Sequence, residues 1–125
     1  MKKFKKDGKI NFVDEFNVLV GYDIGQDCCE HADWFISDME ENTVYDKNYN
    51  SIKRPEFDIN KYRFDKKYFE KVECSQLDEG GMVRFKLTAK GLSNLYLHLF
   101  NSQNGYYGHG FEANIDGLKW QEDIL

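Results

Sequence analysis

The chain has 125 residues and a net charge of −5 at neutral pH, and 41% of its residues are hydrophobic and 16% aromatic. This composition excludes disordered and collagen-like proteins, and the length predicts a single domain over residues 1–125. The acidic balance argues against a protein that binds nucleic acid through bulk positive charge. No run approaches the roughly 18 apolar residues of a membrane span, so we expect no membrane partner.

Segment 1–8 is basic, but no apolar stretch of the kind found in secretory signals follows it. We interpret its lysines as a solvated lead-in. The three cysteines, Cys28, Cys29 and Cys74, cannot all pair within one chain. A small, odd number of cysteines is typical of a reducing compartment. The sequence therefore predicts a cytoplasmic protein in which Cys28 and Cys29 are reduced and at least one of them is buried.

The first predicted element is a β-hairpin over residues 9–24. The strand formers Ile10 and Phe12 precede a polar turn at 14–17, and the apolar run 18–20 follows it. That run is apolar on both faces, as in a strand covered on both sides.

Residues 26–39 fit two patterns. In a helix their apolar side chains share one face, with Asp27 as the N-cap and Glu30 three residues later completing a capping box. In a strand, Ala32, Trp34 and Ile36 alternate with more polar positions. The helical face collects more apolar residues, so the pattern favours a short helix or an irregular loop.

Residues 40–66 are polar with scattered aromatic residues, and Pro55 favours an extended conformation at Arg54. We predict a long loop or insertion pinned to the body of the protein, and a candidate for specificity.

The clearest pattern is the alternation of apolar and polar residues over 67–118, which predicts a four-stranded antiparallel meander. Leu97 lies in a strand that is apolar on nearly both faces and should be central. The dipeptide Asn104-Gly105 predicts a tight two-residue turn between two of these strands. His98, among apolar neighbours, is predicted to be a hydrogen-bonded core histidine.

Two stretches concentrate residues that carry chemistry. The first, 26–31, contains acids, adjacent thiols and an imidazole. Zinc would need ligands that converge, which adjacent cysteines provide poorly, and a thiol nucleophile would need a lowered pKa that Asp27 and Glu30 oppose. Burial of the cysteines as small hydrophobic residues is the third reading.

The second stretch, 104–110, is rich in glycine but lacks the patterns of phosphate-binding loops. It is interpreted as a packed hairpin whose tyrosines reach the surface, and as a candidate ligand or partner contact.

Residues 26–30, which read QDCCE, together with 102–107 near the C-terminus, resemble a family of short uncharacterised bacterial and phage proteins. That family shows a QDCCE motif and a late SNGYYS-like hairpin. The resemblance covers about a third of the chain and implies a fold rather than an activity. The polar stretch 40–66 and residues 108–110 depart from the pattern.

From these patterns we predict a mainly β (α+β) fold, with an antiparallel sheet or meander of about six strands and one or two short helices. The expected function is a non-enzymatic binding or accessory module of phage or mobile-element origin that needs no cofactor or metal and binds a protein partner. The alternative is a small metal- or thiol-dependent enzyme using Cys28, Cys29 and His31. The candidate binding residues are Gln26, Asp27, Cys28, Cys29, Glu30, His31, Tyr106, Tyr107 and His109. We expect stretch 26–31 and loop 104–109 to meet at one concavity, with a tyrosine on its wall.

Overall fold

A computed structural model describes residues 1–26 and 29–125 of the chain. The described part contains nine named strands and one 3-10 turn at Ser75–Leu77. The strands are β1 (Lys2–Lys6), β2 (Lys9–Val13), β3 (Val18–Asp23), β4 (His31–Ser37), β5 (Arg63–Val72), β6 (Gly81–Thr88), β7 (Leu95–Ser102), β8 (Gly110–Ile115) and β9 (Leu118–Ile124).

The strands form two antiparallel sheets. One has the order β1-β2-β3-β8-β9 and the other the order β4-β7-β6-β5. The predicted mainly β, antiparallel class is confirmed, but with nine strands in two sheets instead of about six. Within the described residues, no helix is long and apolar enough to cross a membrane.

The hydrophobic core lies between the sheets. Phe12 and Val20 from the five-stranded sheet and Phe85 and Leu97 from the four-stranded sheet are all fully buried members of one cluster. They occupy alternate positions of their strands, as the period of two requires. The hydroxyl of Tyr22 donates to the carbonyl of Phe100 at 2.7 Å, which adds a hydrogen bond between the sheets.

Local turn chemistry explains most of the hairpins. Asp116 and Gly117 join β8 to β9 with φ values of 51° and 78°, the geometry of a type I′ turn. In the predicted hairpin of residues 9–24, which is confirmed, the carboxylate of Asp14 accepts the N–H groups of Phe16 and Val18.

A long connection, which we call the cover segment (residues 38–62), lies with its first part on the outer face of the four-stranded sheet, whereas Ile59 and Tyr62 near its end join the main core. Val44 is 4% exposed and packs with Leu77, Met82 and Phe100 in a second, smaller core. The side chain of Gln76 bonds the backbone of Val44 and Tyr45. The predicted pinned loop is therefore confirmed for 40–62, whereas residues 63–66 belong to β5.

The short helix or loop favoured for residues 26–39 is wrong over 31–37, which form strand β4. Ala32 and Ile36 are buried in the main core, whereas Phe35 faces the opposite side of the sheet and stacks on His98. Both faces of β4 thus carry apolar residues, and together these residues give the spacing that favoured a helix.

The N-terminal segment, predicted to be a solvated stretch, is also a strand, β1, whose five residues are all exposed and show no alternation.

The predicted hairpin at Asn104-Gly105 is wrong. β7 ends at Ser102, and β8 begins at Gly110 in the other sheet. The physical reason is that β7 is central, with β4 on one edge and β6 on the other, so no edge remains for β8. The meander therefore consists of β5, β6 and β7, and the chain then crosses to the five-stranded sheet.

We expect Gly80→Ala to lower the free energy of unfolding by about 1–3 kcal/mol, the usual cost of overpacking. A Cβ at Gly80 would lie 1.7 Å from the carbonyl oxygen of Asn101, so the backbone must shift. At neighbouring Gly81 a Cβ would lie 3.5 Å from the Leu125 side chain, an ordinary contact. Urea denaturation of both variants checks this, and equal losses would contradict it.

Candidate functional site: the loop end of the sandwich

Three connecting segments meet at one end of the four-stranded sheet. His31 at the start of β4 pairs with Ser102 at the end of β7, and Gly81 at the start of β6 pairs with Asn101. A bridge joins Asp78 to the residue after β7, Gln103. The loops before β4, before β6 and after β7 are therefore neighbours. We call this surface the loop end, made of residues 24–26, 29–30, 73–80 and 103–109.

A buried acid–imidazole contact joins the two stretches that the sequence singled out. The Nε2 atom of His109 lies 3.3 Å from Oε1 of Glu30, and its Nδ1 atom lies 2.8 Å from the carbonyl oxygen of Asp23. The Glu30 side chain is 0% exposed and that of His109 5%. Both ring nitrogens of His109 thus have a partner, and the contact between Glu30 and His109 holds the start of β4 against the start of β8.

The remaining residues of stretch 26–31 serve different contacts. The ring nitrogen Nδ1 of His31 lies 2.8 Å from the hydroxyl of Tyr45 on the cover segment. The amide of Gln26 bonds the backbone of Ala32. Asp27 and Cys28 lie outside the described residues, so the predictions made for them have no structural counterpart.

Cys29 is exposed and disulfide-bonded, whereas Cys74 is a free thiol. The prediction that Cys29 is reduced is therefore wrong for this structure. A disulfide sulfur has no proton to lose and is not a thiolate nucleophile. A thiol-dependent reaction at Cys29 would first require reduction of this bond. Among the described residues, no group of three or more metal-ligating side chains converges.

The loop that follows β7 is held at its base. Asn101 donates from Nδ2 to the carbonyl of Tyr107 at 2.7 Å, and the Tyr107 N–H donates to Oε1 of Gln103 at 2.9 Å. The N–H of Glu79 donates to the carbonyl of Gln103, which ties the loop to the turn before β6. Between these anchors Tyr106 is 83% exposed.

The predicted meeting of the two stretches thus occurs through Glu30 and His109. The shared concavity with a tyrosine wall is not found. Neither Tyr106 nor Tyr107 lines any of five well-defined concavities on the described part of the chain. The loop end thus projects at Tyr106, whereas its residues Glu79, Gly80 and Gln103 border a cleft of about 250 Å³ that does not include either tyrosine. Whether its residues bind a partner stays a prediction.

A second polar cluster lies on the outer face of the four-stranded sheet, beneath the cover segment. Glu70, Arg84, His98 and Phe35 are consecutive cross-strand partners on β5, β6, β7 and β4. Arg84 is 6% exposed and His98 is fully buried. The register of the sheet thus places a carboxylate, a guanidinium, an imidazole and a phenyl ring in one row.

The cover segment completes this cluster. The Nε atom of Arg84 donates to Nε2 of His98 at 3.1 Å, and the backbone N–H of Glu41 donates to the same nitrogen at 3.3 Å. Because Nε2 accepts from two donors, the imidazole is neutral with its proton on Nδ1. The Arg84 guanidinium also donates to the carboxylates of Glu40 and Glu70. The prediction that His98 is a hydrogen-bonded core histidine is confirmed.

The hydroxyl of Tyr68 closes the network, with distances of 2.9 Å to Glu40 and 3.0 Å to Glu70. Burial raises the pKa of Tyr68, and its bonds to the two carboxylates raise it further. The phenol therefore stays protonated and donates. Every charge that the cluster buries is paired, which identifies it as a clamp that holds the cover segment on the sheet.

Sequence reasoning missed this clamp, apart from His98. The available signal was Arg84, a cation between the buried residues Val83 and Phe85. Its side chain lies on the other face of the strand, where a buried guanidinium needs an acidic partner.

Comparisons with known proteins give no information on the site, because no family model, no curated protein and no solved structure matches the chain. The family resemblance carried by residues 26–30 and 102–107 stays a prediction.

Proposed function

We propose that the protein is a non-enzymatic binding module whose loop end docks onto a partner protein. The observation that carries the proposal is the exposure of Tyr106, 83%, at the tip of a loop fixed on both sides. A rigid, exposed tyrosine supplies contact area at low entropic cost, and tyrosine is enriched among the residues that dominate binding energy.

Support for rigidity comes from the contacts on either side of Tyr106. The side chains of Asn101 and Gln103, which precede Tyr106, bond the backbone of Tyr107, the residue that follows it. After it, His109 is buried against Glu30 and exchanges two backbone hydrogen bonds with Leu125. Binding residues commonly lie on loops that a rigid scaffold positions in this way.

The charge of the loop end indicates the chemistry of the partner. Glu73, Asp78 and Glu79 are all exposed on the turn before β6. An ideal Cβ at Gly105 would lie 3.7 Å from the Glu79 side chain, so these acids adjoin the Tyr106 loop. A partner with a basic patch around an apolar pocket for the tyrosine fits this arrangement.

The proposal keeps the cytoplasmic location expected from the sequence. Phage or mobile-element origin belongs to the same proposal and rests on the motif resemblance alone.

The test compares two exposed tyrosines. Immobilised wild-type protein, Tyr106→Ala and Tyr49→Ala are used to capture proteins from host extract; Tyr49 lies on the cover segment and is 75% exposed. We expect Tyr106→Ala to reduce recovery of the specific partner about tenfold, as loss of a hot-spot residue does, and Tyr49→Ala to leave it unchanged. A partner set that is unaffected by Tyr106→Ala would overturn the proposal. Equal melting temperatures of the three proteins establish that folding is not the cause.

A further inference from the structure

Within the described residues, strand β4 lies at the edge of its sheet and pairs only with β7. The backbone of Ala32 faces away from β7, because the amide of Gln26 bonds both of its polar groups. The Gln26 Oε1 atom accepts the Ala32 N–H at 3.0 Å, and Nε2 donates to the Ala32 carbonyl at 2.6 Å. A side-chain amide thus occupies the place of a peptide group from a neighbouring strand.

The same edge continues along β4. Alternate residues of a strand direct their backbone N–H and C=O groups to the same side, so those of Trp34 and Ile36 also point away from β7. The N–H of Trp34 donates to the carboxylate of Asp33, the preceding residue, at 2.9 Å. As at Ala32, a local side chain provides the hydrogen bond that a further strand would otherwise make.

Next to the side chains of Gln26 and Asp33 that bond its backbone, the edge of β4 borders a cleft of about 360 Å³. One wall is residues 34–36 of β4, and the facing wall is formed by residues 54–57 together with Ile59. Phe57 and Ile59 also pack against the main core, which fixes the facing wall. The volume is within the range of ordinary ligand sites.

The cleft has cations on both sides. Lys3 on β1 lies with its Nζ atom 4.8 Å from the centre of the Trp34 ring. Arg54 on the opposite wall lies 3.8 Å from the centre of the Phe35 ring, but it is already paired with Glu41 at 3.8 Å, so the positive charge offered to an occupant comes chiefly from Lys3. Lys3 is the residue of β1 that reaches the lining, its four neighbours on that strand are also exposed, and Glu56 is the acidic residue of the lining. An occupant with acidic side chains complements this surface.

We propose that the free edge of β4 binds an extended, acidic segment of a partner protein by strand addition. The incoming backbone replaces the Gln26 amide at Ala32 and continues past Ile36, while a carboxylate of the segment pairs with Lys3. Main-chain hydrogen bonds provide affinity in this mode of recognition, and side-chain contacts provide specificity. This surface is separate from Tyr106 and does not depend on the function proposed above.

The test uses three capped heptapeptides and isotope-labelled protein. The first alternates valine with glutamate, the second alternates valine with lysine, and the third repeats the first with N-methyl groups on alternate residues. We expect the first to shift the amide resonances of Ala32, Trp34 and Ile36, and the other two to bind at least about fivefold more weakly. Equal binding of all three peptides, or no response along β4, would overturn the proposal.

Two variants test the residues themselves. Lys3→Glu, at an exposed position, should weaken binding of the glutamate peptide about fivefold, and Gln26→Ala should strengthen it because no side-chain amide has to be displaced. Lys119→Glu, at an exposed position on β9 at the opposite edge of the five-stranded sheet, is the matched control and should leave the titration unchanged. Unaltered binding by Lys3→Glu, or weaker binding by Gln26→Ala, would contradict the assignment. Thermal unfolding confirms that each variant is folded.

Discussion

Replacing Phe85 by alanine is expected to lower the free energy of unfolding by about 3–5 kcal/mol, the upper range for a buried aromatic residue. Phe85 is fully buried on β6, and its ring centre lies 5.9 Å from Phe64, 5.3 Å from Phe69, 6.2 Å from Phe111 and 5.6 Å from Trp120. These neighbours come from both sheets. The cavity would therefore be bounded by strands that are held on several sides and cannot collapse into it.

Urea denaturation of wild type and variant measures this loss. Phe4→Ala is the matched control, because Phe4 lies on β1 and is 43% exposed, and its loss should stay within about 0.5 kcal/mol. Phe85→Leu should give an intermediate value, since it retains part of the buried volume. A loss below about 1 kcal/mol for Phe85→Ala would show that the sheets do not pack around this ring.

The β class and several strands followed from the sequence because they rest on local patterns. The alternation around Val83, Phe85 and Leu87 reports one buried face, and the polar turn at 14–17 separates two runs of strand formers. Such signals depend only on neighbouring residues. The central position predicted for Leu97 is confirmed, because β7 lies between two strands and its outer face lies under the cover segment.

Sheet membership could not be predicted in the same way. Asn104-Gly105 has the composition of a tight hairpin, but strand β7 already has a partner on each edge. Which strand occupies an edge depends on residues far away in sequence, here β4. The side chains of Asn101 and Gln103 then hold an open loop where a two-residue turn was expected. The error at β4 itself contributed, because a helix there would have left an edge of β7 free.

In the candidate site, too, features that depend on local sequence could be predicted and features that depend on distant residues could not. The contact of Glu30 with His109 was anticipated as a meeting of two stretches, since each adjoins the end of a strong strand. The clamp of Arg84 and His98 was not anticipated, because it requires the register of four strands and the path of the cover segment. Only the burial of His98 could be inferred from its neighbours.

Acid is expected to destabilise the protein through His98. Burial, together with the nearby cations Arg84 and Arg54, lowers the pKa of this imidazole to about 3 from its usual value near 6.5. In the unfolded chain His98 is thus protonated below about pH 6.5, whereas in the folded chain it is protonated only below about pH 3. The stability conferred by the neutral form is complete above pH 6.5 and is lost as the pH falls through this window.

One proton taken up on unfolding changes the equilibrium constant about tenfold for each pH unit, so the loss from His98 alone reaches roughly 5 kcal/mol by pH 3. The carboxylates of Glu40 and Glu70 face the same guanidinium of Arg84. The slope of stability against pH must therefore be compared between proteins that retain these acids.

His98→Gln provides that comparison. A glutamine oxygen can accept from Arg84 as Nε2 does, but it takes up no proton. We expect urea midpoints of this variant between pH 7.5 and 4 to fall less steeply than those of wild type, by the equivalent of one proton. If His98→Gln instead follows the wild-type slope, the buried imidazole does not take up a proton on unfolding, and the prediction is wrong.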